Sequence, residues 1–393
     1  MNEKFNDDPN DICGPGGLYF TTIEFIAQYF DYGIHLREVF LPLDDPDFKM
    51  VHDSDGNKWR ANKIILGEKY LLSDPETYIK YKIDVVPVPN FIEIASERGY
   101  VKVLEWLKSL NQCLTYDNNV LYCASMNDQI DVLEWWLKSG LELKYDHNII
   151  NDLSRHGRLV ILDWWFSSGL ELKYTENAIN YLSTSRIDML EFWLKSGLKL
   201  KYNENAIGYA SGHNYTDVLE WWKRSGLVLK YDETAINYAS SQGCIDVLDW
   251  WRNSDLKLKY NEEAIYLASL NRQLNVLEWW LFSGLELKYD IRAIDNASVL
   301  GLIEVLDWWK YSGLKLKYDQ NVIKNISCTC DVMTDTLCHC NTKILKWWLN
   351  NIKLQPNDHN FIIIDEIYRA IHNGHSKILD KQYENRFNTN FNW

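Results

Sequence analysis

Four cysteines crowd into thirteen residues. Cys328, Cys330, Cys338 and Cys340 form C-x-C-x7-C-x-C in the stretch CTCDVMTDTLCHC, with His339 inside it. Four thiolates this close could wrap a tetrahedral zinc ion, the one cofactor the sequence suggests. The alternative is four free thiols in a surface insertion; C-x-C lacks the flanking context of a catalytic disulfide. A second set of candidates is a row. Lys144, Lys173, Lys201, Lys230, Lys259, Lys288 and Lys317 recur at a near-constant interval, each followed by Tyr: Tyr145, Tyr174, Tyr202, Tyr231, Tyr260, Tyr289 and Tyr318. Regular stacking would align the cations along one edge, where they could steer an acidic partner or merely keep that edge soluble. The tyrosines are expected to bury their rings between units with the hydroxyls wet. An acidic row, Glu105, Glu134, Asp163, Glu191, Glu220, Asp249, Glu278 and Asp307, is too periodic for a catalytic carboxylate pair, and we expect an exposed, solubilising face there.

These rows need elements that repeat. The first aromatic of each tryptophan motif falls at Trp106, Trp135, Trp164, Phe192, Trp221, Trp250, Trp279 and Trp308, in steps of 29 residues with a single 28. A second marker keeps the same interval at Ala95, Ala124, Leu153, Leu182, Ala210, Ala239, Ala268, Ala297 and Ile326. One unit spans residues 231–259. ETAINYASS predicts a first helix (helix A) and Gly243 the turn that ends it; CIDVLDWWRNS predicts a second (helix B) with a wide apolar face. Neither helix can bury that face alone, so units must stack. Both Trp250 and Trp251 are expected in the core. The 28-residue step removes a residue between Leu182 and Phe192, and a ten-residue expansion separates Ile326 from Trp347. Both are expected to fall in a surface turn that leaves helix lengths unchanged. The chain is predicted to be mainly α, a helix-pair solenoid of about ten units over residues 89–383. A polar last helix near Lys381-Gln382 is expected to cap it, followed by a tail over 384–393.

Residues 1–88 read differently, as a small α+β module. IHLREVFLP (34–42) alternates like a strand, SDGNKW (54–59) predicts a hairpin turn before KIILG (63–67), and Asp74-Pro75-Glu76 should open a helix. No nucleophile elbow, Walker loop or metalloprotease helix is present in the sequence, so no catalytic residue is assigned.

TAINYAS (234–240) followed by GCIDVLDWW resembles the ankyrin pattern TPLHLAA followed by GHLEVVKLL, shortened in the finger that joins repeats. Here Ala replaces the Pro, and Asn180, Asn237 or Gly208 stands for the His. GPGGLYFTT (14–22), residues 31–51 and KWRANKIILG (58–67) resemble the leader of ankyrin repeat proteins from giant DNA viruses of the mimivirus group, as do the tandem Trp and the LKY linker. The resemblance implies a protein-interaction scaffold in a host cytoplasm or virion.

Composition agrees with that class. At 393 residues, 46% hydrophobic and with 18 tryptophans, the chain has ample core material. A net charge of −14 argues against nonspecific nucleic-acid binding and against anionic membrane surfaces. No apolar run spans a bilayer and the first residues lack a signal peptide's order, so a cytoplasmic, non-secreted protein is expected. Two other functions remain open: an adaptor whose residues 1–88 recruit host machinery such as a ubiquitin ligase, and an unrecognised enzyme in the same module.

Overall fold

The computed structural model describes residues 16–351 except 54–56, 87, 111–113, 184–185, 320–321 and 323–338, together with residues 5, 6 and 8. Two compact units are distinguished, residues 1–178 and 179–393, and the division falls within the repeats.

The first unit opens on five short strands: β1 (Leu18–Thr21), β2 (His35–Phe40), β3 (Met50–Asp53), β4 (Lys58–Ala61) and β5 (Ile65–Leu71). A 3-10 helix over Ile26–Tyr32 connects β1 to β2. The strands form two antiparallel sheets, ordered β1-β4-β3 and β2-β5. β3 pairs antiparallel with β4 on either side of the expected hairpin turn, whose residues 54–56 lie outside the described residues. Ile65–Leu71 pairs with β2 instead, with a register shift between Arg37 and Val39. Helix α1 (Pro75–Tyr81) starts as its sequence predicts: Asp74 accepts the Glu76 N–H at 3.1 Å and Pro75 fills the first turn.

The module covers the first helix pair, α2 (Phe91–Glu97) and α3 (Val101–Ser109). Phe30 and Tyr78 pack against Phe91, and Tyr78 stacks on Trp106 at 5.6 Å. The Arg98 guanidinium donates to the carbonyls of Phe30, Asp31 and Gly33. An apolar end that would otherwise face water is thereby closed.

Helix pairs follow: α4 (Asn119–Met126) with α5 (Ile130–Lys138), α6 (His147–His156) with α7 (Leu159–Ser167), and α8 (Asn177–Asn180) with α9 (Ile187–Lys195). Within the second unit come α10 (Glu204–Gly212) with α11 (Thr216–Arg224), α12 (Glu233–Gln242) with α13 (Ile245–Asn253), α14 (Glu262–Leu270) with α15 (Leu274–Phe282), and α16 (Arg292–Val299) with α17 (Ile303–Tyr311). The last described helix is α18 (His339–Asn351). The protein is mainly α, built of stacked ankyrin-like helix pairs behind a small α+β segment.

Local chemistry sets the helix ends. Asp146, Asn203, Asp232 and Asn261 each accept the backbone N–H two residues on, the standard N-cap arrangement. After helix B a Ser hydroxyl donates to a carbonyl three residues back, as Ser225 does to Trp222, and accepts the N–H two residues on. The residue between them is left-handed, usually Gly (Gly226, φ 78°). Asp255 takes that position at φ 61° with a Cβ to accommodate.

Two expectations are corrected. The repeat with the missing residue does not keep its helix: α8 has one α-helical turn and continues as a 3-10 turn over Tyr181–Ser183. A 3-10 turn rises farther per residue, so it spans more length with fewer residues. The tryptophans also divide. Trp136, Trp165, Trp193, Trp222, Trp251, Trp280, Trp309 and Trp348 are fully buried, whereas Trp135, Trp164, Trp221, Trp250, Trp279 and Trp308 are half-buried. Val247, Leu248 and Trp251 lie on one stripe of α13, and Trp250, about 100° around, sits on its flank. The expected polar last helix and the tail lie outside the described residues.

Trp251→Ala should destabilise the protein by about 3–5 kcal/mol, the range for truncating a buried aromatic, and Trp250→Ala by clearly less. Urea unfolding monitored by circular dichroism checks the order; equal losses would contradict the division of roles.

Candidate binding surface

A binding surface consists of what the repeats leave unused, so their internal bonds come first. Seven of the buried indole N–H groups donate to a buried serine of the preceding repeat: Trp136 to Ser96 and Trp165 to Ser125 in the first unit; Trp222 to Ser183, Trp251 to Ser211, Trp280 to Ser240, Trp309 to Ser269 and Trp348 to Ser298 in the second. Distances run from 3.0 to 3.2 Å. The half-buried indoles, and the buried Trp347, donate to the carboxylates of the acidic row, again one repeat back. Trp135 reaches Glu105, Trp164 Glu134, Trp221 Glu191, Trp250 Glu220, Trp279 Asp249, Trp308 Glu278 and Trp347 Asp307, at 2.5–3.1 Å. The acidic row is therefore a set of acceptors between helices B as well as a polar face. The indole and Lys195 bonds hold the Glu191 carboxyl below its ordinary pKa, as those of Trp250 and Arg224 do for Glu220.

The tyrosines pack as expected. Tyr231 lies 5.0 Å from the ring of Trp251 and its hydroxyl donates to the Lys257 carbonyl of the next linker. Tyr116, Tyr145, Tyr202, Tyr260 and Tyr289 do the same in their own repeats.

The lysine row has its ammonium groups committed within the stack. Lys144, Lys173, Lys230, Lys259, Lys288 and Lys317 each donate to the carbonyl of the Tyr one linker back, at 2.8–3.3 Å. Each ammonium also lies over that tyrosine's ring, 4.1–4.9 Å from its centre. Lys201 belongs to the row by spacing. The geometry makes these residues linker clasps, with less charge free for an incoming partner than a solvated lysine would offer.

The ankyrin His position retains its bonding role with different residues. Asn151 donates to Thr175 Oγ1, Asn180 to Asn203 Oδ1 and Asn237 to Asn261 Oδ1, each reaching the N-cap of the next helix A. Asp295 stands there in a later repeat and accepts the Asp319 N–H at 3.0 Å. Burial, with the charges of Asp319 and Asp290, raises its pKa to about 6 against the pull of that N–H.

Of the cysteine set, Cys328, Cys330 and Cys338 lie outside the described residues, and Cys340 falls in the first turn of α18 rather than in a loop. Cys123 and Cys244 are free thiols, raised in pKa by burial. Among the described residues no group of three or more His, Cys, Asp or Glu is arranged to hold a metal. No helix among them is long and apolar enough to cross a membrane.

No family model matches the chain. Curated relatives do. A protein of Acanthamoeba polyphaga mimivirus named for ankyrin repeats is 42% identical over 107 residues, 27% of this chain and 53% of that protein. Another mimivirus protein, without an assigned function, is 53% identical over 81 residues, 21% of this chain and 57% of its own length. The chain resembles the mimivirus ankyrin repeat proteins. The matched stretches span about half the length of these relatives. Among solved structures, the ankyrin repeat domain of human ASB11 aligns with 52% of this chain and 98% of its own, at 11% identity and a TM-score of 0.38.

The ankyrin-type frame commits the outward side of helices A less, although Asn296 there donates to the Tyr266 hydroxyl. The residue before each Ala marker is Tyr181, Tyr209, Tyr238, Leu267 and Asn296 along the second unit. Tyr181 and Tyr209 stack at 5.9 Å, and Tyr238 is 45% exposed. Glu204, Glu233 and Glu262 open these helices, exposed and in no ion pair among the described residues. Sequence reasoning missed both this row and the serine row. The signal for the serines was their fixed place one residue after each Ala marker, in register with the tryptophans that bind them.

Asp295 gives a pH prediction. Its folded pKa lies above the unfolded value, so its contribution is most favourable below about pH 4 and is lost as pH rises through about 6. Asp295→Asn, which restores the amide found in other repeats, should raise stability at pH 7 and flatten the slope between those limits. Urea titrations across that range check it; an unchanged slope would show that Asp295 titrates normally.

Proposed function

We propose that the chain is a non-catalytic scaffold that holds a protein partner against the outward side of its helices A. One observation carries the reading. The bonds that join repeats are the same from repeat to repeat, while the outward residue before the Ala marker changes: Tyr181, Tyr209, Tyr238, Leu267, Asn296. A fixed frame with changing outward residues spaces its contacts regularly and lets their identity choose the partner. Tyr238 is exposed and Tyr181 and Tyr209 are half-buried, and tyrosines offer large contact area at low entropy cost, which makes them efficient anchors. The lysine row contributes mainly by holding the linkers in place.

A photo-crosslinking residue placed at Tyr209 or Tyr238, and in parallel at exposed Lys223 on helix B, tests this in cells where the protein is made. One protein should be captured from the first two positions and not from the third. The double substitution Tyr209→Ala/Tyr238→Ala should release it while leaving the unfolding midpoint close to that of the parent. Capture from Lys223 alone would place recognition on the opposite face.

A further inference from the structure

Helices A of the second unit carry charge of one sign. No Lys, Arg or His lies within α10, α12 or α14, which hold Glu204, Glu233, Glu262 and Glu263. Glu204, Glu233 and Glu262 stand at the same place in three consecutive repeats, exposed and in no ion pair among the described residues. Starting the helix does not require them, since His147 and Ile291 hold that place in other repeats. The nearby lysines, Lys230 and Lys259, are held over tyrosine rings one linker back. Packed helices lie about 8–10 Å apart, so the three carboxylates form a row of like charge at that interval. One repeat further on, the chain satisfies such a carboxylate itself. The Arg292 guanidinium pairs with Glu263 and Asp290 and lies 4.7 Å from the centre of the Tyr266 ring. Glu263, Thr234 and Asn205 stand in place of Arg292 in the three preceding repeats, so α10 and α12 receive no guanidinium from within.

We propose that α10, α12 and α14 bind an extended, arginine-bearing segment of a protein partner, which rests on Tyr209, Tyr238 and Leu267 and places one guanidinium on each of Glu204, Glu233 and Glu262. The proposal rests on the reading of helices A as the recognition face and adds the chemistry that this face selects. A carboxylate beside a tyrosine suits a guanidinium, which bonds the anion in its plane and stacks through its face. Arg292 makes that combination inside the chain with Glu263 and Tyr266. Reach agrees. Each glutamate precedes the residue beneath the segment by five positions, about 7.5 Å along the helix axis, a span that an arginine side chain covers. Spacing agrees as well. A polyproline II segment has three residues per turn and rises about 3.1 Å per residue, so every third side chain recurs on one side at about 9.3 Å, close to the helix interval. The segment that fits therefore carries Arg at every third position, and the acidic row excludes carboxylates from those places.

The test uses the full chain and two labelled peptides of equal composition and charge. One is Arg-Pro-Pro-Arg-Pro-Pro-Arg; the other gathers its three arginines at one end. Fluorescence polarisation at low salt should show the spaced peptide binding about tenfold tighter or more than its isomer. The triple substitution Glu204→Gln/Glu233→Gln/Glu262→Gln should abolish that preference, and each single substitution should weaken the spaced peptide several-fold. Tyr209→Ala/Tyr238→Ala should also weaken it, with the carboxylates intact. The unfolding midpoint of each variant, measured alongside, should stay near that of the parent. Equal binding of the two peptides would show attraction by charge alone and overturn the proposal. So would no binding of the spaced peptide, or a preference that survives the triple substitution in a folded variant. A partner crosslinked at Tyr209 or Tyr238 and retained equally by the triple variant would also overturn the arginine row, while leaving helices A as the recognition face.

Discussion

The hydrogen bond from a buried indole to a serine one repeat back is the constraint on which the rest of the helical stack depends. An indole is large enough to fill the space between helix pairs, but its N–H cannot be left unsatisfied there. Ser211 meets Trp251, Ser240 meets Trp280, and each match fixes the register of one repeat on the next. A helix B rotated by one residue would bury Trp250 instead and leave both Trp251 and the serine without partners. The bond thus contributes specificity as well as energy, because the alternative packings each strand a polar group.

The other rows follow from that placement. With one indole in the core, its neighbour must emerge about 100° around the helix, where the preceding helix B supplies a carboxylate. The linker tyrosine then covers the buried indole from the side, and the lysine of the following linker covers the tyrosine. Four residue types that look like separate surface features are one layered contact. This arrangement accounts for the unusual tryptophan content, for the tolerance of a shortened finger, and for a strongly acidic protein keeping a row of lysines in one place. The residues with the most eye-catching periodicity are those with the least chemistry to spare.

The strand-bearing segment is held by a different logic. Its contact with the first helix pair is an aromatic cluster of Phe30, Tyr78, Phe91 and Trp106, clamped by Arg98. Apolar side chains of the same segment, Phe40, Leu43 and Leu66 among them, remain exposed.

The sequence by itself determined the repeat length, both helices of each regular 29-residue unit, their caps and the mainly α class. These are local or periodic properties: Asp232 caps α12 through its own backbone two residues on, and the apolar stripe of α13 is legible at helical spacing. It also specified the start of α1 and strand β2. Tertiary structure decided what the spacing could not. Two adjacent tryptophans are equivalent as letters, and only the neighbouring repeat distinguishes the one that meets a serine from the one that meets a carboxylate. The pairing of β5 with β2, the 3-10 turn that absorbs the missing residue, and the commitment of the lysines to tyrosines are likewise contacts between segments far apart in the chain. A linear pattern records which residues recur, but not which of their polar groups are already satisfied, and that decides what remains free to bind.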